Sequence, residues 1–323
     1  MAINLLALEP HKVSRDLSGY MTYIYGPGGA GKTTFGAATP KPLLLAFEKG
    51  YNALAGVMAQ DVTSWGEVKQ ILRELKKPEV KAMFSTIVVD TVDIASNLCE
   101  KYLCSQLGIE NIGDGGWTVN GWSKVKKEWE STWRAVTMEG YSLVFISHSK
   151  DKTFTRKDGT TYNQIVPTCS AAYNEIIKNM VDIEAYIDVD NGERKLIMRS
   201  ADDSIECKCR FKYMASSIGF SYQSLVNALN EAIDREALET NNQFVTNEKQ
   251  STPISKYYDY DALMDEFQTL AGQLMERSAA TNSPKITQII EKYLGKGKKI
   301  VETTPDQAEF VYLIVTEIKE DLM

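Results

Sequence analysis

The sequence predicts an α/β fold: a mostly parallel central sheet flanked by helices, followed by a small C-terminal all-α domain. Three observations carry this expectation. Short β-rich runs alternate with helical patterns from the start to about residue 215, as parallel sheets require. The central runs are almost wholly apolar, as strands covered on both faces must be. Past a polar stretch at 240–257 the pattern turns purely helical.

Taken in order, the first strand is "MTYIY", and a glycine-rich loop leads from it into a helix. "PLLLAF" and "STIVVD" are the next strands, with the helical pattern "WGEVKQILRELKK" between them. Two more helices follow, "TVDIASNLCEKYLCSQLG" and "WSKVKKEWESTWRAVTMEG". In the second, Trp129 and Trp133 recur at helical spacing and are expected to face the core. "YSLVFIS", "DIEAYIDV", "RKLIMRS" and "IECKCRF" complete the strands, and a helix over 224–239 closes a first domain of residues 1–239. Residues 240–257, polar and aperiodic, read as a linker. Residues 258–323 hold three helical patterns. The last opens on "TPDQAEF", with Thr304 as cap and Pro305 at the first helical position.

Bulk properties bound the function. Of 323 residues, 43% are hydrophobic and 24% charged, ordinary values for a globular protein. A net charge of −7 argues against indiscriminate nucleic-acid binding, although a local basic track suffices to touch phosphate. "MAINLLALEPHK" lacks signal-peptide features, and no apolar run reaches the roughly 20 residues of a membrane helix. Five cysteines without such a signal point to reduced thiols and a cytoplasmic protein, in a host cytoplasm if phage-encoded. Cys207 and Cys209 resemble half a metal site, but no second pair with ligand spacing accompanies them and the only histidines are His11 and His148.

The chemistry starts at "GPGGAGKTT". Gly26, Gly31, Lys32 and Thr33 fit G-x-x-x-x-G-K-[ST] between a strand and a helix, with Pro27, Gly28, Gly29, Ala30 and Thr34 completing the loop. Its backbone N–H groups and the helix N-terminus suit a nucleotide's phosphates. Lys32 is expected on the β- and γ-phosphates of ATP, and the Thr33 hydroxyl on Mg2+. Asp90, ending "STIVVD", would hold the same Mg2+ through water. Thr91 follows where many such ATPases have a catalytic Glu. Glu48, at the end of "PLLLAFE", is the acid placed to activate water as a general base. In "SLVFISHSK", His148 sits where a polar side chain would sense the γ-phosphate.

In this order, the glycine loop, Glu48, "IVVD", "FISH" and a late basic pair resemble the RecA/RadA-like ATPases, a P-loop NTPase group. Among them the chain is most similar to phage-encoded versions: phage nucleotide-binding AAA-type P-loop proteins, and the fourth Sak family of single-strand annealing ATPases. The likeness spans about Tyr20 to Phe211. It implies a RecA-like core, an assembly with ATP between subunits in a ring or filament, and fingers from a neighbour. Lys208 and Arg210, two apart on an expected strand, resemble those fingers. It also implies that the segment after the fourth strand touches DNA. There Lys150, Lys152, Arg156 and Lys157 accompany Phe154 and Tyr162, with "KDG" as a hairpin turn. Cations and stacking aromatics suit single-stranded DNA. Trp117, Trp122, Lys124, Lys126 and Lys127 form a second candidate, a lid or further DNA contact. Lys296, Lys298 and Lys299 lie in a tail loop of open purpose.

The expected function is a slow, DNA-modulated, ATP- and Mg2+-dependent ATPase that self-assembles and binds single-stranded DNA. It would promote annealing or strand pairing in phage recombination, with a single-strand binding protein as an implied partner and no membrane. Two alternatives stay open: a motor of helicase or packaging type, and a small-molecule P-loop kinase.

Overall fold

A computed structural model describes residues 6, 8–241, 243–249 and 259–322. The chain divides into two compact units, Pro10–Ile254 and Met1–Glu9 with Ser255–Met323.

In the larger unit, a short β1 (Val13–Ser14) precedes β2 (Thr22–Gly26), whose five residues are all buried. The loop then feeds α1 (Lys32–Ala37), which lies so close to the sheet that a methyl group on Gly36 would sit 2.6 Å from Val88. β3 (Pro42–Ala46) and the short β4 (Ala59–Asp61) follow. α2 (Trp65–Glu74) starts at a capping box in which Ser64 and Glu67 satisfy each other's backbone N–H. α3 (Pro78–Met83) has proline at its first position, where no N–H is needed. Beyond β5 (Thr86–Asp90) come α4 (Val92–Leu107), the single turn α5 (Gly116–Val119) and α6 (Gly121–Met138).

β6 (Ser142–Thr155) and β7 (Thr161–Pro167) pair antiparallel, and α7 (Ala171–Met180) connects them to β8 (Ile183–Asp190). β9 (Glu193–Ile197), β10 (Lys208–Cys209), β11 (Ser217–Gly219) and α8 (Tyr222–Glu239) follow, then β12 (Val245–Thr246).

The sheet order is β11-β9-β8-β2-β6-β5-β3-β4, with the run from β8 to β4 parallel throughout. One face is covered by an apolar layer centred on Trp65, Trp129 and Trp133, whose rings pack 5.4–5.9 Å apart. Both helical tryptophans are thus core, as their spacing predicts. The other face buries Phe35, Leu225, Leu229 and Ile233 against β8 and β9.

Three differences from the sequence reading have physical causes. The segment "AAYNEIIKNM", assigned to no element from its sequence, is α7; its buried face is only Tyr173, Asn174, Ile177 and Met180, too short a stripe to stand out. "IECKCRF" yields a two-residue strand rather than a full one, because β10 pairs β8 only at Glu184 and Ile183. Thirdly, part of the expected linker is structured. β12 pairs in parallel with β1, Ser14 Oγ donates to the Glu248 carbonyl at 2.6 Å, and Lys249 reaches the Gly140 carbonyl. Polarity there reflects an edge position, not freedom. Residues 242 and 250–257 of that stretch lie outside the described residues.

The smaller unit holds α9 (Tyr260–Leu294) and α10 (Ala308–Leu322) around Phe267, Leu274, Ile286, Val311 and Ile318. Ser278 adopts φ −168° and ψ 97° and splits α9 in two, so three helical pieces result. The break falls before Pro284 rather than at it. Asn282 then turns its amide onto the freed Leu274 carbonyl at 2.6 Å, and Ser278 donates to Thr281. A capping box of Thr304 and Gln307 opens the turn Pro305–Gln307 that leads into α10.

Candidate functional site

Register decides which residues meet. Gly26 lies opposite His148, Asp90 opposite Ile146, and Ala46 opposite Asp90. The carboxyl ends of β2, β3, β5 and β6 therefore deliver the glycine loop, Glu48, Asp90 and His148 to one edge, where α/β sheets hold ligands.

The loop is shaped as a cradle. Gly29 and Gly31 take φ +74° and +98°, conformations that glycine tolerates. Lys32 is buried, and its ammonium donates to the carbonyls of Gly26 (3.0 Å) and Pro27 (2.8 Å). Burial lowers its pKa, opposed by the charges of Asp90 and Glu48. The same ammonium stands 3.3 Å from His148 Nδ1, and His148 Nε2 stands 3.1 Å from Glu48 Oε1. Since an ammonium only donates, Nδ1 accepts, which places the imidazole proton on Nε2, facing the carboxylate. Lys32, His148 and Glu48 thus form one polar chain across the site.

Thr33 Oγ1 donates to Asp90 Oδ2 at 2.6 Å. Asp90 is buried, and burial raises its pKa against the lowering effect of the Thr33 bond. The chain after Glu48 passes directly over this pair, because a methyl group on Gly50 would lie 2.9 Å from Thr33 Oγ1. A hydroxyl and a carboxylate side by side are hard oxygen donors of the kind Mg2+ selects. A cavity of about 490 Å³ adjoins α1, walled by Thr34, Ala37, Ala38 and the 53–58 segment. Lys41, Pro42, Met83 and Phe84 complete its lining, so it lies toward the amino ends of β3 and β5, away from the edge that holds Glu48, Asp90 and His148.

His148 also belongs to a longer element. β6 continues past it for seven residues as the exposed arm of the β6–β7 hairpin. Arg156 and Thr160 close the turn, with Gly159 at φ +86°. Phe154 and Tyr162 stack across the arm at 5.6 Å, with Lys152 over one ring at 4.6 Å and Arg156 over the other at 4.7 Å. Lys150 donates to the Thr168 carbonyl, and Lys157 is exposed at the tip. A cavity of about 320 Å³ runs from Lys150, Lys152 and Phe154 onto Lys178 of α7.

The hairpin base is tied to the nucleotide edge by a residue whose role the sequence did not suggest. Asp93 Oδ1, in the first turn of α4, accepts from Ser147 Oγ at 3.1 Å and from Thr168 Oγ1. The Thr168 N–H in turn donates to the His148 carbonyl at 2.9 Å. The signal available was modest: an acid three residues past Asp90 and a serine, Ser147, ending the apolar run 143–146.

Other candidates lie elsewhere. Lys208 and Arg210 sit at the amino end of β8, the far edge of the sheet from the loop of their own chain. Lys208 donates to the carbonyls of Lys178 and Val181; Arg210 donates to the Asn179 carbonyl and pairs with Asp182 at 3.2 Å. Lys124, Lys126 and Lys127 are exposed on α6, and Trp117 and Trp122 are exposed before and at its start. In the smaller unit, Lys298 pairs with Glu302 at 3.7 Å, and Lys296 and Lys299 are exposed. Among the described residues, no group of three or more His, Cys, Asp or Glu is placed to hold a metal. Likewise, no helix is long and apolar enough to cross a membrane.

Comparison with known proteins agrees with this geometry. A family model described as "AAA domain" matches residues 18–211. The chain is 31% identical over 332 residues to the SPbeta prophage-derived uncharacterized protein YorG of Bacillus subtilis (strain 168), covering 99% of both chains. The chain belongs to the AAA domain family, and its larger unit is a RecA-like P-loop core.

Proposed function

We propose that this AAA-family chain is an ATP- and Mg2+-dependent ATPase that assembles with copies of itself, binds single-stranded DNA and promotes annealing or strand pairing in phage recombination. One observation carries the reading: β6 bears His148 at the nucleotide edge and, on its continuation, the stacked Phe154–Tyr162 pair with its cations. A single strand therefore bears both the groups that would face a nucleotide and those that would face a strand of DNA.

The residues divide the work. The loop amides and Lys32 would hold the phosphates, while Thr33 directly and Asp90 through water would hold Mg2+, which would neutralise phosphate charge when bound. Glu48 takes the proton of the attacking water, and His148 holds that carboxylate in place. Aromatic faces on the hairpin stack on bases and the cations meet the backbone, an arrangement indifferent to sequence. Lys208 and Arg210 complete a neighbour's site, for which their place on the far edge of the sheet is suited. A single-strand binding protein is the partner this activity would meet.

The test measures ATP hydrolysis with and without single-stranded DNA, alongside annealing of complementary strands. Both rates should rise with protein concentration as assembly sets in. A mixture of Arg210→Ala and Lys32→Ala chains should recover activity that neither has alone. Hydrolysis indifferent to DNA would remove the DNA reading, and directional unwinding of duplex would replace annealing with motor activity.

A further inference from the structure

We infer that Arg194 is a second cation of the nucleotide site, binding the polyphosphate from within the same chain. This rests on the nucleotide reading above. No motif marks Arg194; its position follows from the sheet.

β8 runs parallel to β2 with Tyr186 opposite Tyr25, the residue before Gly26. Val189 stands three residues further on, so it reaches about 10 Å beyond the level of Tyr25. Arg194 is the antiparallel partner of Val189 on β9. The β8–β9 hairpin therefore rises beside the phosphate loop as a wall. A methyl group built on Gly31 would lie 3.0 Å from Arg194 Nη1 and 3.1 Å from the Phe220 ring. The guanidinium is stationed against the glycine that precedes Lys32.

The charge there is uncompensated. Alternation along the two strands puts Arg194 and Val189 on the same face as Ile187 and Leu196, both fully buried. The nearby acids Asp188, Asp190 and Glu193 belong to the opposite face, with Lys195. Among the described residues, the Arg194 guanidinium makes no hydrogen bond or ion pair, like those of Arg73, Arg235 and Arg277 and unlike those of Arg15, Arg134, Arg199 and Arg210; what sets Arg194 apart is its place against Gly31. Arg194 is exposed on β9, and beside the phosphate cradle, with apolar residues beneath it and no acid on its face, its guanidinium is free to serve as an anion ligand.

The test is equilibrium binding of a fluorescent ATP analogue with Mg2+ to the full chain, comparing wild type, Arg194→Ala, Arg194→Lys and Lys32→Ala at two salt concentrations. Melting of the nucleotide-free proteins is measured alongside. Arg194→Ala should weaken binding about tenfold, the scale of one charge-assisted hydrogen bond to phosphate. Arg194→Lys should fall between, the loss should shrink at high salt, and melting should match wild type. Binding by Arg194→Ala within twofold of wild type overturns the inference. So does a loss matched by an equal fall in melting temperature, which would make Arg194 a packing residue over Phe220. If wild type itself binds no nucleotide, or Lys32→Ala binds as well as wild type, the nucleotide reading fails and takes this inference with it.

Discussion

The two halves of strand β6 make an instructive contrast. Its first six residues, Ser142–Ser147, are buried between β2 and β5 and are apolar except for two serines. The second half, Ser149–Thr155, pairs only with β7 and is largely exposed. His148 sits at the join, bonded to Glu48 through its ring and to Thr168 through its carbonyl. The buried half is fixed by sheet packing and can hold a catalytic group to a fraction of an ångström. The exposed half has only cross-strand pairs to hold it, each worth about 0.2–1 kcal/mol. Such an arm can be ordered by a ligand. One strand thereby combines a rigid end suited to chemistry with an adjustable end suited to a polymer.

The contrast breaks most sharply at Glu48. Glu48→Gln keeps the shape and the contact with His148 but cannot take a proton. Hydrolysis should fall by a factor of about 100 or more, while a fluorescent ATP analogue binds as before. A turnover rate within a few-fold of wild type would move the general base elsewhere.

How much of this was legible depended on what each residue's job required. The glycine loop, Asp90 and the buried strands were readable because phosphate binding and two-sided burial each demand a fixed residue pattern. Glu48 and His148 were readable by position, as polar residues ending apolar runs. Their bond to one another was not, since it depends on β3 and β6 flanking β5, and strand order is not written in any local period. Arg194 was invisible, and Asp93 only faintly marked, for the same reason. Each acquires its role from a neighbour far away in sequence: Thr168 for Asp93, Gly31 for Arg194. Ser278 hid differently, because nothing in the local pattern marks a break there, and the proline that would suggest one stands six residues later.

On the exposed half, Phe154→Ala should weaken binding of single-stranded DNA about tenfold, the cost of one lost base stack. It also unstacks Tyr162 and frees Lys152, so the double variant with Tyr162→Ala should lose less than the product of the two singles. Strict multiplication of the two losses, measured by fluorescence anisotropy, would show that the rings act separately.

Asp93 tests whether the halves communicate. Asp93→Ala leaves the hydroxyls of Ser147 and Thr168 without their acceptor, which should cost about 1–3 kcal/mol of stability. More telling is the ratio of DNA-stimulated to basal hydrolysis, which should fall by a factor of about five as the base of the hairpin loosens. An unchanged ratio in a destabilised protein would confine Asp93 to structure.

The smallest expected effect lies at the other side of the sheet, behind the hairpin. Glu184 on β8 is fully buried, and neither of its carboxylate oxygens has a hydrogen-bond partner. Burial pushes its pKa up to about 8; the Lys178 charge opposes this and the Glu206 carboxylate adds to it. Between the ordinary carboxylate range and about 8, the folded protein thus keeps a proton that the unfolded chain has released. By linkage, its contribution to stability is full at acid pH and is lost as pH rises through that window. Glu184→Gln stays neutral at every pH. Its melting temperature should therefore fall less than that of wild type between pH 5 and 8, the two curves separating by a few degrees at the alkaline end. Asp90 and Asp182 are also raised by burial, but they are common to both proteins and cancel in the difference. Parallel curves would mean that Glu184 ionises freely in the fold, and that the space between β8 and the hairpin admits the water needed to solvate it.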